Sequence, residues 1–269
     1  MRICATCGVE REAPLPEICP ICADERQYVP ASGQEWLALE EMSASHELRL
    51  RAFEPGLTGL RAHPKVGIGH TALVAATAEG GLLWDPPAYI DDDAVRAVVA
   101  LGPISAVAAS HPHMFGVQVE WSRALGGVPV LVNAADREWL GRSDPVVEFW
   151  GERFEVVPQI VLHRVGGHFP GSAVAHWRSG ADGRGVLLAG DAFAPNPDGR
   201  TLTFLWSYPN RIPLSGVVAQ RIVEQLEPLE FDRVYANFGN CHDSGAKEAL
   251  RYSARRHAAW ASGEFDHLT

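Results

Sequence analysis

The stretch AASHPHMFGVQVEW, residues 108–121, decides how this chain is read. The apolar run ISAVA (Ile104–Ala108) before it has the character of a buried strand, and it delivers two histidines, His111 and His113, one residue apart. At that spacing both side chains leave the same face, and Pro112 restricts the loop that carries them. Alone, the pair reads as well as one histidine capping a strand and one in solvent. The next positions, Met114, Phe115 and Gly116, bring no further ligands of the usual kind.

Two later stretches change the weighing. VGGHFPGSAVAHW (165–177) sets His168 after a glycine pair between predicted strands. GVLLAGDAF (185–193) sets Asp191 directly after an apolar strand and Gly190, where a carboxylate has no reason to sit unless it is used. Three imidazoles and a carboxylate, each at a strand-to-loop junction, make a ligand set for zinc or a similar divalent ion. His111, His113, His168 and Asp191 are therefore the candidate ligands of an inner site, and Asp191 is also a candidate catalytic group.

A second set lies at the N-terminus. CATCGVEREAPLPEICPIC (4–22) holds Cys4, Cys7, Cys19 and Cys22 as two Cys-x-x-Cys pairs separated by eleven residues. Each pair can clamp one side of a tetrahedral ion, and two pairs close the shell. A segment of about 30 residues with few large apolar side chains cannot fold on burial alone, so an ion would supply its stability. A closed four-thiolate shell suits a structural or electron-transferring ion. Zinc is expected, with iron the alternative.

The composition, 46% hydrophobic and 21% charged over 269 residues, suits a well-cored globule with one large domain and a small appendage. A formal charge of −10 argues against binding a nucleic-acid backbone. No apolar run approaches the roughly 20 residues of a membrane span, and no apolar leader opens the chain, so a cytoplasmic location is expected. There, free or metal-bound thiols are favoured over disulfides. Strands are expected at His46–Phe53, Gly67–Thr77 and Gly81–Asp85, and helices at DDDAVRAVVALG, at Val117–Leu125 and at AADREWL. Further strands follow at PVLVN, QIVLHRVG, SAVAHW, GVLLAGD and FDRVYA. The last helices fall near Ser215–Leu226 and Gly245–Trp260. Two β-then-βα halves without a glycine-rich phosphate loop suggest paired sheets flanked by helices.

The order SHPH, GGHFPGS, LLAGDAF resembles the metallo-β-lactamase-fold superfamily from roughly Gly67 to the C-terminus. CPICADERQYV together with SHPHMF is similar to a branch that carries an N-terminal Cys4 element resembling a zinc ribbon. CPIC also resembles a rubredoxin knuckle, although Ala23 stands where rubredoxins usually have glycine. The resemblance implies an α/β (α+β) fold, an αββα sandwich over residues 32–269, preceded by a small Cys4 knuckle over residues 1–31. It implies metals at one edge between the sheets, bound by His-x-His-x-Asp-His, a later His, a bridging Asp and a final His. His111, His113, His168 and Asp191 match the first site and the bridging acid. The ligands exclusive to the second site fall at Phe115, Gly116 and Phe238 and are all missing, which implies one inner ion.

Such an ion keeps an open coordination position and lowers the pKa of a bound water to about 7. The expected activity is mononuclear hydrolysis of an ester, thioester or amide bond in a small molecule. Glu120, one helical turn beyond Gly116, is a candidate to reach back over the emptied second site as a catalytic carboxylate. His242 is a further candidate ligand. Phe115 and Phe238 would make the former second site apolar, and TLTFLWSYPNRIP (201–213) is either a substrate wall or lid, or ordinary core. His70 and His176 read as packed residues on strands, and Cys241 as a packed thiol. Two other classes stay open: an oxidoreductase with rubredoxin-like iron, and a binding protein with a vestigial inner site. Oligomeric state is not legible.

Overall fold

The computed structural model describes residues 1–269. Two sheets lie face to face. The first has seven strands in the spatial order Val147–Trp150, Val130–Asn133, Ile104–Ala108, Gly80–Trp84, Ala72–Thr77, Leu57–His63, Glu47–Glu54. Its first four are parallel to one another and the rest antiparallel. The second sheet runs Arg153–Val157, Ile160–Arg164, Ala173–Trp177, Val186–Leu188, Arg233–Tyr235, Cys241–His242.

Alternation along the strands builds the layers. Leu82, Trp84, Ala106 and Ala108 of the first sheet meet Ile160, Leu162, Ala175 and Leu188 of the second in one buried cluster. Leu83 and Val107, one residue out of phase, point the other way, towards the helices Asp92–Leu101 and Gln118–Ala124 and the N-terminal element. On the far side, Val174, Leu187 and Val234 pack under the helices Gly216–Leu226 and Ala246–Ala261. The result is the expected α/β/β/α sandwich.

Sequence signals place the helix starts. Asp91 accepts a hydrogen bond from the Ala94 N–H at 2.7 Å, and Asp92 and Asp93 complement the helix dipole. Ser215 caps the helix Gly216–Leu226 in the same manner.

Two of the expected elements take a different form. Strand pairing in the Gly67–Thr77 run begins only at Ala72, because Gly67 and Gly69 adopt positive φ (57° and 74°) and turn the chain. His70 therefore lies in a loop and not on the strand. The AADREWL segment forms a 3₁₀ helix, Ala134–Trp139, since Asn133 Oδ1 takes the Ala135 N–H two residues on.

The N-terminal element is a three-stranded sheet in which Arg2–Cys4 pairs with Glu10–Arg11 and with Trp36–Leu37, beyond the last clustered cysteine. Ile3, Ile21 and the four cysteines are buried in the same apolar cluster as Ala88, Tyr89, Phe115 and Trp121. The element is therefore joined to the outer face of the first sheet. No helix is long and apolar enough to cross a membrane.

Candidate metal centres

The strand Ile104–Ala108 ends beside Gly80–Trp84, and the loop between Ala108 and the 3₁₀ turn Pro112–Met114 delivers His111 and His113. The second sheet supplies the other two groups: His168 from the loop before Ala173–Trp177, and Asp191 from just beyond Val186–Leu188. One ligand atom from each of the four lies within 4.8 Å of the others, and all four residues are at most 4% exposed. His168 Nε2 stands 3.2 Å from His113 Nδ1, and Asp191 Oδ2 lies 3.5 Å from His111 Nε2 and 4.0 Å from His168 Nε2. Zinc–nitrogen bonds of 2.0–2.1 Å in a tetrahedron put neighbouring ligand atoms about 3.3 Å apart, so the set fits such an ion. His111 Nε2 is buried and has no hydrogen-bond partner, which is what a ligand atom requires.

The imidazoles are held in the ligating form. Burial lowers the pKa of His168 to about 4 and takes His111 and His113 well below the ordinary value, keeping all three neutral. His168 Nδ1 donates to Leu205 O at 3.3 Å, which leaves Nε2 with its lone pair, and Ser110 Oγ sits 2.8 Å from His111 Nδ1. Burial pushes the Asp191 carboxyl up to about 7.

Several neighbours escaped the sequence reading. Asp85, fully buried at a positive φ of 55°, accepts the Ser110 N–H at 2.6 Å and so anchors the histidine loop. Burial pushes its carboxyl up to about 8. GLLWD ends on an acid after an apolar strand, as GVLLAGD does, so the signal that exposed Asp191 was present here too. His70 Nε2 donates towards the carbonyls of Asp85 and Pro86 (3.0 and 3.2 Å) and steadies the same turn. Tyr208, from the 201–213 stretch, places its ring 5.8 Å from that of His168 and its hydroxyl 3.4 Å from Asp191 O. No sequence signal singled it out.

Other expected participants lie elsewhere. Glu120 is held by Arg142 at 2.6 Å and by Arg123 at 3.4 Å, in an ion-pair network with Glu10 and outside the imidazole cluster. The helix does start where expected, but its Glu120 face turns towards the N-terminal element. His242 pairs with Val234 at the edge of the second sheet and is not one of the four clustered groups. His176 Nε2 donates to Glu230 O at 2.8 Å as a packed strand residue.

The three positions matching the family's second site are spread apart in environment. Phe115 is 2% exposed within the outer core. Gly116 has φ 52°, and a Cβ there would lie 2.1 Å from Pro86 O and 2.7 Å from Pro87 O, so no side chain fits. Phe238 is 46% exposed, which corrects the expectation that it fills the emptied site.

The four cysteines form the second cluster. Cys4 and Cys22 sulfurs are 3.6 Å apart and those of Cys7 and Cys19 3.8 Å apart, with all four ligand atoms within 4.8 Å. Zinc–sulfur bonds of 2.3 Å in a tetrahedron give edges of about 3.8 Å, so these residues fit an ion as well. Gln34 Nε2 donates to Cys4 Sγ at 3.3 Å, and Gln34 Oε1 accepts the Cys19 N–H at 3.0 Å. Hydrogen bonds from Cys19 and the other thiols lower the Cys4 thiol, favouring thiolate.

A surface cavity of about 1040 Å³ lies by the two C-terminal helices among residues such as Val217, Tyr252 and Trp260 and contains none of the clustered ligands.

No family model matches the sequence. Among known proteins, the uncharacterized protein YmaE of Bacillus subtilis (strain 168) is 37% identical over 270 residues, covering 98% of each chain. Among solved structures, a metallo-β-lactamase from Pontibacter korlensis superposes with a TM-score of 0.56 at 14% identity, over 78% of this chain and 98% of that one. The metallo-β-lactamase FIM-1 from Pseudomonas aeruginosa, in its mono-zinc form, gives 0.54 at 14% identity over 80% and 96%. MEM-A1, a subclass B3 metallo-β-lactamase from a soil metagenome library, gives 0.51 at 15% identity over 80% and 97%.

Proposed function

The chain belongs to the same family as YmaE of Bacillus subtilis and is built on the metallo-β-lactamase fold, and from that premise we propose that it is a mononuclear metal-dependent hydrolase of an ester, thioester or amide bond in a small molecule. The inner cluster carries this reading: three neutral imidazoles and one carboxylate converge from both sheets with a buried, unpartnered ring nitrogen among them. A divalent ion, zinc by our reading, would be held by His111, His113, His168 and Asp191, and would supply Lewis-acid polarisation and activation of water.

The chain's own groups have definable tasks. The Leu205 carbonyl and Ser110 keep His168 and His111 oriented. Asp191 Oδ2 closes the ligand set or accepts a hydrogen from water. Burial and the neighbouring Asp191 carboxylate raise the Tyr208 phenol well above its ordinary pKa, so it stays protonated and acts as a donor beside Asp191.

The single-ion reading is supported by Phe115 in the core, Gly116 without space for a side chain and Phe238 at the surface. A mono-zinc form of FIM-1, on the same fold, supports it further. Without a second ion to clamp a leaving phosphate oxygen, acyl substrates are favoured over phosphoryl ones. The thiolate set has no open position and suits a structural zinc. Reduced, metal-held cysteines also favour a cytoplasmic setting.

Elemental analysis of the wild type beside His111→Ala/His113→Ala, followed by a panel of esters, thioesters and lactams, tests this function. We expect one ion in each cluster of the wild type, and loss of the inner ion together with any hydrolysis in the variant. A third ion in the wild type, or unchanged metal content in the variant, would contradict it.

A further inference from the structure

Immediately after Cys22 the chain passes beside the inner cluster. Arg26 forms a bidentate pair with Asp24 (Nε to Oδ1 2.7 Å, Nη2 to Oδ2 3.0 Å) and donates from Nη1 to the His168 carbonyl at 3.2 Å. Its guanidinium lies 3.8 Å over the Phe169 ring, with Trp139 and Trp206 at 5.5 and 5.3 Å. The Phe169 ring centroid is 4.9–5.7 Å from those of His113, His168 and His111. Arg26 is thus stacked over the aromatic ring that contacts all three imidazoles.

The other side of the segment is tied to the 201–213 stretch, which also carries Tyr208. Ser207 Oγ donates to Arg26 O at 3.0 Å, and Asn210 Nδ2 donates to Glu25 O at 2.8 Å and to Gln27 O at 3.3 Å. The Arg26 side chain is only 12% exposed. A substrate reaching the ligands from this side must displace these bonds.

What holds the near end is the Cys4 cluster. The helix Pro20–Ala23 has only four residues, too few to persist alone, and Cys22 sits within it. An ion across Cys4, Cys7, Cys19 and Cys22 would fix where Asp24 emerges.

We propose that Asp24–Gln27 is a strap closing the inner site, and that the ion in the Cys4 cluster sets its position, so that the N-terminal element regulates access to the inner centre. The proposal rests on the inner cluster holding an ion, as the proposed function does. A cation–aromatic stack and four hydrogen bonds are modest individually, which suits a strap that opens on a functional timescale.

The full chain loaded with Co²⁺ at both clusters provides the test. Thiolate-bound cobalt shows intense near-ultraviolet charge-transfer absorption, whereas cobalt on imidazoles and a carboxylate shows only a weaker visible d–d band. EDTA extraction is therefore followed at the cysteines by the first and at the inner site by the second, after the thiolate share of the visible absorption is subtracted. Arg26→Ala and Asn210→Ala are expected to speed extraction from the inner site about tenfold or more while leaving the thiolate band unchanged, since hydrogen bonds and a stack are lost only from the strap. Asn210 is exposed, so that variant leaves the core intact. Cys22→Ser is expected to speed inner-site extraction as well, with all three histidines present. Gln34→Ala, which loosens the thiolates without removing one, gives the same reading if Cys22→Ser fails to fold. Inner-site rates equal to wild type in the strap variants would overturn the strap. Faster rates in the strap variants but not in Cys22→Ser or Gln34→Ala would overturn its control by the cysteine cluster. A wild type that never shows the inner-site band would instead remove the hydrolase reading, and this proposal with it.

Discussion

Gly116 has no room for the imidazole that the family signature sets there. Its positive φ and the Pro86 and Pro87 carbonyls against its Cα make even a methyl group costly. Gly116→Ala should destabilise the protein by about 3 kcal/mol, from left-handed strain plus overpacking, as measured by urea unfolding. A loss below about 0.5 kcal/mol, ordinary for a surface change, would show that the loop can yield. The buried carboxyls and imidazoles of the inner site predict pH dependences of opposite sign. Histidines of the unfolded chain still bind protons near 6.5, so the imidazoles, neutral when folded, contribute a share of stability that rises with pH until about 7.5. Asp191 and Asp85, raised to about 7 and about 8, still hold protons in the metal-free folded protein, whereas the unfolded chain releases them near 3.8. The share of metal-free stability due to these two carboxyls should therefore fall as pH rises from 6.5 to 8, by up to about 1.4 kcal/mol per pH unit for each one held protonated. Below 6.5 the depressed imidazoles act oppositely, and their share is lost as pH falls towards 4. Loading the inner site should remove the Asp191 share, because a cation keeps that carboxylate ionised. Chemical unfolding of metal-free and loaded wild type beside Asp191→Asn and Asp85→Asn between pH 6.5 and 8 checks this; a metal-free wild type that holds or gains stability relative to both variants across that range would refute it.

Among elements, the helix Gln118–Ala124 shows how far periodicity reaches. Spacing from Gly116 placed Glu120 one turn on, and the helix forms as expected, but spacing says nothing about what packs on each face. The occupant proves to be the N-terminal sheet. Glu10, 2% exposed, accepts from Val119 N at 2.8 Å and pairs with Arg142 at 2.6 Å, and Arg142 also reaches Glu120. Burial raises the Glu10 carboxyl, so the pair with Arg142 is what keeps its charge tolerable there. Arg142→Ala should cost about 3–5 kcal/mol by stranding Glu10. Glu120→Ala, at a side chain 28% exposed, should cost at most about 1 kcal/mol and leave inner-site metal content unchanged. Calorimetry with metal analysis separates the two, and loss of the inner ion in Glu120→Ala would restore that residue to the site.

Over the whole molecule, what was legible followed strand ends. His111, His113, His168 and Asp191 each stand where an apolar run stops, and the structure gathers all four from two sheets. The cysteine pairs were legible from spacing alone. Asp85 carried the same signal and went unused. Tyr208 and Arg26 could not be found in this way, because they arrive through packing between segments distant in sequence. The Cys4 element likewise reads as an appendage by composition, yet its cysteines share a core with Phe115 and Trp121. A single ion at the edge between the sheets is what the inner cluster is built to hold. An anomalous-scattering map from crystals of the metal-loaded protein should show one inner peak bonded to His111, His113, His168 and Asp191, besides the one among the cysteines. Two inner peaks about 3.5–4 Å apart, the spacing of a two-metal site, or no inner peak at all, would contradict it.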